Sequence, residues 1–166
     1  MPIFRTVDEH TMLDIETLGT QTNSFILSIG VVKFSKDYIF PDSLHVHVND
    51  AGGCIDLQTV LWWLRQEEEA RTKQVSAQRV SMRDGLRQVV DFVGDRPVWG
   101  NGSSFDLTIF RAACERHGVQ CWNQWQDRCY RTWKQGKEAP GEFLPKHDAL
   151  NDAMNQAHHM IQQGGF

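Results

Sequence analysis

Apolar and polar residues alternate through the first third of the chain, which predicts three β-strands. Residues 11–15 have the pattern of a strand entering a core, and residues 24–34 form a long run of branched and aromatic side chains. In residues 43–48, apolar residues alternate with His45 and His47, which we expect to face solvent. Three successive strands of this kind favour an antiparallel meander.

Helical spacing of apolar residues follows. Residues 56–71 begin at a candidate N-cap, Asp56, and carry four apolar residues that we expect to line one helix face: Leu57, Val60, Leu61 and Leu64. A second helix is predicted between Ser81, as N-cap, and Gly94, where the pattern stops.

The second half of the chain alternates short strands with helices. Residues 96–100 predict a strand, 104–118 a helix, and 127–133 a further strand, followed by a polar loop over 134–146. The final helix is predicted over about 148–163, and we expect it to bury five residues: Leu150, Ala153, Met154, Ala157 and Ile161. This order indicates one α/β domain over residues 1–166, with a mixed sheet of meander and parallel strands between helices.

Composition narrows the function classes. Hydrophobic residues make up 40% of the chain and charged residues 23%, as in ordinary globular proteins, and no apolar run is long enough for a membrane span. The four cysteines lack zinc-site spacing, so we expect reduced thiols in a soluble cytoplasmic protein. A net charge of −4 argues against coating long nucleic acid, but not against binding one chain end.

Acidic residues stand where the predicted elements end. Asp14 and Glu16 lie two residues apart at the end of the first strand, so both side chains point to the same face. Asp106 follows the strand over 96–100, and Asp152 lies one turn into the last helix. Functional groups of open α/β sheets collect at such strand ends and helix starts, so we expect the four carboxylates to converge.

Four carboxylates in one cleft repel each other unless a cation lies between them. Oxygen ligands without sulfur favour Mg²⁺ or Mn²⁺, and two such ions can hold the attacking and leaving oxygens of a phosphodiester. His147 suits the role of general base, because an imidazole has a reference pKa of about 6.5. Taken singly these signals are weak: Asp106 alone is typical of a helix N-terminus, and His147 alone of a surface loop.

Three motifs together resemble those of the DnaQ-like DEDDh 3′–5′ exonucleases, in that family's order: "DIETLG", "GSSFD" and "HDALND". The resemblance implies a ribonuclease H-like three-layer fold and metal ligation by Asp14, Glu16, Asp106 and Asp152. It also implies that Asp14 bridges two ions and that His147 is the base. The segment "TVLWWLRQEEEAR" resembles the helix that carries paired tryptophans in phage DexA-type exonucleases and related exoribonucleases, which also share the Gly-x-Ser-Phe-Asp form. The resemblance to these enzymes also suggests a homodimer.

Substrate contacts are predicted beside these motifs. Adjacent helical tryptophans point about 100° apart, so we expect Trp63 in the core and Trp62 exposed or facing the cleft. Two interpretations stay open for the pair: one of them stacks on a base of the substrate, or both only pack within the protein. The resemblance places the turn after the D-x-E on the terminal nucleotide, with the apolar side chain as a wedge. The other candidate contacts are Thr17, Leu18, Gly19, Ser104 and Phe105.

These features predict an exonuclease that releases nucleoside 5′-monophosphates from the 3′ end of single-stranded DNA or RNA. Three alternatives stay open at this point. They are an exoribonuclease specialised for RNA 3′ ends or short oligoribonucleotides, an endonuclease or strand-transfer enzyme on a similar sheet, and a catalytically silent nucleic-acid-binding module. The histidine five residues before the final aspartate disfavours the second of these.

Overall fold

A six-stranded mixed sheet forms the centre of the computed structural model, which describes residues 9–139, 141 and 143–166. The strands are β1 (His10–Thr17), β2 (Ile26–Phe34), β3 (Ile39–Asn49), β4 (Val80–Ser81), β5 (Val98–Gly100) and β6 (Asp127–Cys129). Their order is β4-β3-β2-β1-β5-β6. β1, β2 and β3 pair antiparallel, whereas β5 is parallel to both β1 and β6, so the predicted meander and parallel strands are confirmed.

Six α-helices accompany the sheet in the described residues: α1 (Leu57–Leu64), α2 (Glu68–Ser76), α3 (Met82–Val93), α4 (Thr108–Arg116), α5 (Tyr130–Trp133) and α6 (Ala149–Gln162). A π-helical turn, Ser103–Leu107, precedes α4. The predicted caps hold for α1 and α3, because Asp56 accepts a hydrogen bond from the Thr59 N–H and Ser81 accepts one from the Asp84 N–H.

Two hydrophobic clusters lie on opposite faces of the sheet. One contains Leu13 and Ile15 of β1 and packs against α3 and α4. The other contains Met12 of β1 and packs against Ala153, Ala157 and Met160 of α6. The strands are therefore buried on both faces, which is the three-layer arrangement that the sequence predicts.

The single helix predicted over 56–71 is wrong. α1 ends at Leu64, Glu67 has an extended backbone with ψ 145°, and α2 begins at Glu68. The acidic residues Glu67, Glu68 and Glu69 lie at the start of α2, where the helix dipole favours negative charge. The expected burial is also wrong for α1, since Leu57 is 66% and Leu64 61% exposed.

Three further expectations are corrected. His45 and His47 do not face solvent freely: both are half-buried with ring centroids 4.5 Å apart, because β3 packs against the N-terminal end of α6. The strand predicted over 127–133 ends at Cys129 and continues as α5. In α6, His159 and Met160 are buried, whereas Leu150, Met154 and Ile161 are half-buried.

The loop predicted over 134–146 contains Pro140 and Glu142, which lie outside the described residues. All four cysteines are free thiols, and only Cys114 among them is fully buried. In the described part of the chain, none of the helices combines the length and the apolar character that a membrane span requires.

Candidate active site at the end of the first strand

Asp14 and Glu16 are buried at the carboxyl end of β1. Ile15, between them, points to the opposite face and joins the cluster that packs against α3 and α4. Strand alternation therefore directs both carboxylates to the face that α6 covers. The structure places these two acids on one face of the sheet, as predicted.

A close helix–sheet contact brings Asp152 to the same place. Gly30 of β2 pairs with Asp14, and a Cβ built on Gly30 would lie 2.2 Å from the backbone of Ala149 and Leu150. Only a glycine at this position lets the N-terminus of α6 pack so closely on the sheet. Asp152, in the first turn of α6, consequently lies near β1. Ligand atoms of Asp14, Glu16 and Asp152 all lie within 4.8 Å of one another.

Asp106 approaches from the other side of β1. Gly102 follows β5 with φ 116°, a conformation that favours glycine, and starts the π-helical turn that carries Asp106. The Asp106 Oδ1 accepts a hydrogen bond from the Ile15 N–H at 3.3 Å. The structure thus brings Asp106 beside the other three acids, oriented by the backbone of β1.

Burial and mutual repulsion raise the pKa of these carboxyls. Loss of solvation is the largest cause for Asp14 and Glu16, and the neighbouring acids raise the pKa of both further. Burial raises the pKa of Asp106 to about 7, although hydrogen bonds and Arg131 oppose the rise. Burial also raises the pKa of Asp152. Each carboxylate is therefore costly to ionise in the protein alone, and a bound cation would offset that cost.

The all-oxygen donor set fits a hard divalent cation. Three buried or half-buried carboxylates with atoms within 4.8 Å of one another can share a metal ion, and no sulfur or imidazole belongs to this group among the described residues. Asp14, Glu16 and Asp152 are the residues that could hold such an ion, with Asp106 adjacent.

Gln156 is a residue of the site that sequence reasoning missed. Its Nε2 donates a hydrogen bond to the Asp14 Oδ1 at 2.8 Å, and its Oε1 is buried without a hydrogen-bond partner in the described structure. Gln156 lies four residues after Asp152, on the same face of α6. That spacing was the available signal, because a residue one turn beyond a predicted ligand points toward the same cleft.

His147 lies just before α6 with a left-handed backbone, φ 64°. Its N–H donates to the Asp152 Oδ2 at 3.0 Å, which joins the segment directly to the acidic group. Its ring meets the edge of Trp62, with centroids 5.0 Å apart and planes 89° apart. His147, Asp14 and Asp152 also line one cavity of about 310 Å³, together with Lys134 and Lys146.

The two tryptophans of α1 differ as predicted. Trp63 is 7% exposed and donates from Nε1 to the Thr17 carbonyl at 2.9 Å, which fastens α1 to the end of β1. Trp62 is 41% exposed. Both line a cavity of about 500 Å³ with four other predicted residues: Glu16, Thr17, Gly19 and Phe105.

Two of the predicted substrate contacts, Leu18 and Ser104, are not among the residues that line the 500 Å³ cavity. Leu18 lines a separate groove of about 450 Å³ with Trp63, Leu64 and Val75, while its backbone N–H bonds to the Phe25 carbonyl. Ser104 is exposed on the π-helical turn. The wedge role of Leu18 and the contact by Ser104 stay predictions.

Comparisons with solved structures show the same fold at low identity. The nuclease domain of 3′hExo, described as a DEDDh family member bound to rAMP, matches with TM-score 0.64 and 14% identity over 95% of this chain and 93% of that chain. Cell-death related nuclease 4 matches with TM-score 0.64 and 14% identity, over 95% and 64%. The ExoI–ssDNA complex of E. coli matches with TM-score 0.62 and 13% identity, over 94% and 39%.

No significant relative is found among the curated proteins. A family model, described as the 3′-5′ exoribonuclease Rv2179c-like domain, matches residues 9–162 and so includes all five residues of the predicted catalytic set. The likeness to DEDDh exonucleases that the motifs suggested is confirmed. The chain belongs to the Rv2179c-like 3′-5′ exoribonuclease domain family and is a 3′-5′ exonuclease.

Proposed function

We propose that the protein is a single-domain 3′–5′ exoribonuclease that removes nucleoside 5′-monophosphates from single-stranded RNA. The observation that carries the proposal is the group of three carboxylates within 4.8 Å, next to His147. The description of the family as exoribonucleases supports RNA over DNA. A two-metal mechanism agrees with the raised pKa of each buried acid in the metal-free protein.

In this proposal Asp14, Glu16, Asp106 and Asp152 hold two Mg²⁺ or Mn²⁺ ions. When bound, such ions polarise the scissile phosphate and lower the pKa of a coordinated water. Gln156 orients the Asp14 carboxylate through its hydrogen bond. The remaining steps depend on side chains that surround these acids.

His147 takes a proton from the water that attacks the terminal phosphodiester, while the bond from phosphorus to the 3′ oxygen of the preceding nucleotide breaks and that oxygen takes a proton from solvent. The His147 ring lies at the boundary between two cavities, because it lines the cavity that contains Asp14 and Asp152 and also contacts Trp62, which lines the cavity beside Glu16. An imidazole there reaches a water on the acidic group while the terminal base lies against Trp62 and Phe105. Lys134 and Lys146 add positive charge for phosphates near the 310 Å³ cavity.

Product analysis with matched oligonucleotides tests the proposal. Single-stranded RNA with a 5′ label and Mg²⁺ is expected to give a ladder of products that shorten from the 3′ end, and chelator is expected to stop the reaction. Circular RNA of the same sequence is expected to stay intact. Cleavage of the circle would exclude an exonuclease mechanism, and faster hydrolysis of the matched DNA would overturn the RNA assignment.

A binding module on the same fold makes a different prediction. It would retain the oligonucleotide but release no mononucleotide under any metal condition. The homodimer also stays a prediction, which sedimentation of the purified protein can test.

A further inference from the structure

Polar side chains on one side of α6 form hydrogen bonds with the segment that precedes this helix. The backbone groups that they contact belong to Glu138, Leu144, Pro145 and His147. The side chains are those of Asn151, Asp152, Asn155 and His159. Their spacing of one, three and four residues places them along one side of the helix. Each of them bonds a backbone group of the segment, so the contacts depend on the path of the chain rather than on its side chains.

Asn155 makes the most complete of these contacts. Its Oδ1 accepts from the Leu144 N–H at 2.8 Å, and its Nδ2 donates to the Leu144 carbonyl at 2.9 Å. One side-chain amide therefore satisfies both backbone groups of Leu144, as a neighbouring strand would. This pair of bonds lies three residues before His147.

Further bonds lie on either side of Leu144. Asn151 donates from Nδ2 to the Pro145 carbonyl at 3.0 Å, and Asp152 accepts from the His147 N–H. Earlier in the segment, the Glu138 carbonyl forms a hydrogen bond with Nε2 of the buried His159 at 2.8 Å. Nδ1 of the same ring forms a hydrogen bond with the Tyr130 hydroxyl at 2.7 Å. Since a carbonyl only accepts, Nε2 carries the proton and Nδ1 accepts from the Tyr130 hydroxyl.

Residues 143–147 are only partly covered: the Phe143 ring stacks on His158 of α6 with centroids 4.6 Å apart, and Leu144 is half-buried. Phe143 is 60% exposed, and Pro145 and Lys146 are exposed as well. His147 itself adopts φ 64°, a conformation that non-glycine residues adopt only when their surroundings hold them there. The hydrogen bonds from α6 to the backbone of Leu144, Pro145 and His147 help to hold residues 144–147 in place.

We propose that Asn155 is a positioning residue that holds the Leu144–His147 backbone against α6 and thereby keeps the His147 ring between the acidic group and Trp62. The inference rests on the proposed role of His147 as general base. Without the Asn155 amide, the Leu144 backbone groups bond to water and the His147 ring spends less time within reach of the attacking water. Asn155 lines the 310 Å³ cavity together with Asp14 and His147, but both polar atoms of its side chain are bonded to Leu144, so we expect substrate binding to change much less than turnover.

The first test is the kinetics of Asn155→Ala. We expect kcat to fall by about 10-fold to 10²-fold, the scale of a displaced catalytic group, with KM unchanged within about twofold. Gln162→Ala is the matched control, because Gln162 is exposed near the end of the same helix. Asn155→Asp is expected to give a smaller loss, because it keeps the acceptor for the Leu144 N–H and removes the donor. Should Asn155→Ala not fold, the same measurements on Asn155→Asp decide the question.

A double-mutant cycle separates positioning from a general structural effect. In a His147→Ala background, Asn155→Ala is expected to cause no further loss of kcat. An equal loss in both backgrounds, or unchanged kcat in the wild-type background, would overturn the inference. If His147→Ala itself leaves turnover intact, the proposed base is wrong instead, and the two failures are distinguishable.

Nuclear magnetic resonance of the metal-free protein gives a readout independent of activity. The Trp62 ring next to His147 shifts the His147 ring-proton signals, which are assigned by their loss in His147→Ala. In Asn155→Ala these signals are expected to move toward their positions in an unstructured peptide, while the signals of His10 and His117, which contact other parts of the protein, stay in place. Unchanged His147 signals would contradict the proposal.

Discussion

The two halves of the site are held by different forces. Asp14 and Glu16 lie on a strand that is paired with β2 along its length and is buried on both faces. His147 lies on an exposed segment that side chains of α6 hold by hydrogen bonds to its backbone. The strand half is rigid but electrostatically costly, since burial and repulsion raise the pKa of its acids. In the segment half, His147 has a left-handed backbone conformation.

This difference suits the two proposed roles, which are metal binding by the acids and proton transfer by His147. Metal ligands need fixed separations, which a paired strand supplies because its backbone cannot shift without losing sheet hydrogen bonds. A general base needs access to water and to an entering chain end, which an exposed segment allows. Variants of the strand half should therefore change metal binding and charge, and variants of the segment half should change proton transfer.

Asp14→Ala is expected to cause the largest loss of activity. Removal of a ligand shared by the whole acidic group should lower kcat by about 10³-fold or more, since a metal ion supplies several kcal/mol of transition-state stabilisation. Hydrolysis of labelled RNA and Mn²⁺ binding followed by electron paramagnetic resonance measure the two consequences. Asp91→Ala, an exposed residue of α3, is the control. Retained Mn²⁺ affinity in Asp14→Ala would show that the acids do not act together.

His147→Ala is expected to lower kcat by roughly 10²-fold to 10⁴-fold, the usual contribution of a general base. Mn²⁺ affinity should stay close to that of the wild type, because the ring is not part of the group of three carboxylates. The same two assays apply. If His147→Ala lost as much metal affinity as Asp14→Ala, His147 would contribute to metal binding as the acids of β1 do. That result would contradict its assignment as the general base.

Trp62→Ala is expected to raise KM with a smaller change in kcat. Stacking on one base contributes about 1–3 kcal/mol, which corresponds to roughly 5-fold to 140-fold in affinity. Trp125→Ala is the matched control, because Trp125 is exposed on a short turn before β6. Steady-state kinetics on a short RNA measure both variants. Equal KM values for Trp62→Ala and the wild type would exclude a stacking role for this residue.

The smallest expected effect is a dependence of metal-free stability on pH. In the folded protein the pKa of Asp106 is raised from 3.8 to about 7, and the pKa values of Asp14 and Glu16 are raised as well. Between about pH 4 and pH 7 the folded state therefore binds more protons than the unfolded state. The free energy of unfolding consequently decreases as pH rises through this window.

Urea unfolding in chelator at pH 5 and pH 8 measures this dependence. Asp106→Asn removes one of the titrating acids, so its stability is expected to change less with pH than that of the wild type. Saturating Mg²⁺ should also reduce the dependence, because bound cations keep the acids ionised at lower pH. A wild-type protein in chelator that is more stable at pH 8 than at pH 5 would show that these acids are not the dominant titrating groups.

Several features of the protein follow from local sequence rules. Ser81 and Gly94 bound α3 as predicted, because an N-cap hydroxyl and a terminal glycine act within a single turn of helix. Asp14 and Glu16 share a face because strand periodicity is exact over two residues. The motif order was sufficient to predict the DEDDh family and the three-layer fold.

Other features depended on contacts between distant residues. The division of residues 56–71 into α1 and α2, the exposure of Leu64 and the half-burial of His45 all depend on which elements pack against each other, which periodicity does not report. The requirement for glycine at position 30 could not be predicted from periodicity either, because it comes from the close contact of α6 with that residue.

The short motifs were enough to predict which residues would carry the chemistry, because carboxylates at strand ends and a histidine before a helix are chemically distinctive. How these residues are held depends on contacts that form only in the folded protein. The bond from Gln156 to Asp14 and the two bonds from Asn155 to Leu144 join a helix to a distant strand and a preceding segment. Amide side chains of this kind look ordinary in sequence, and their partners are chosen by the packing of α6 on the sheet.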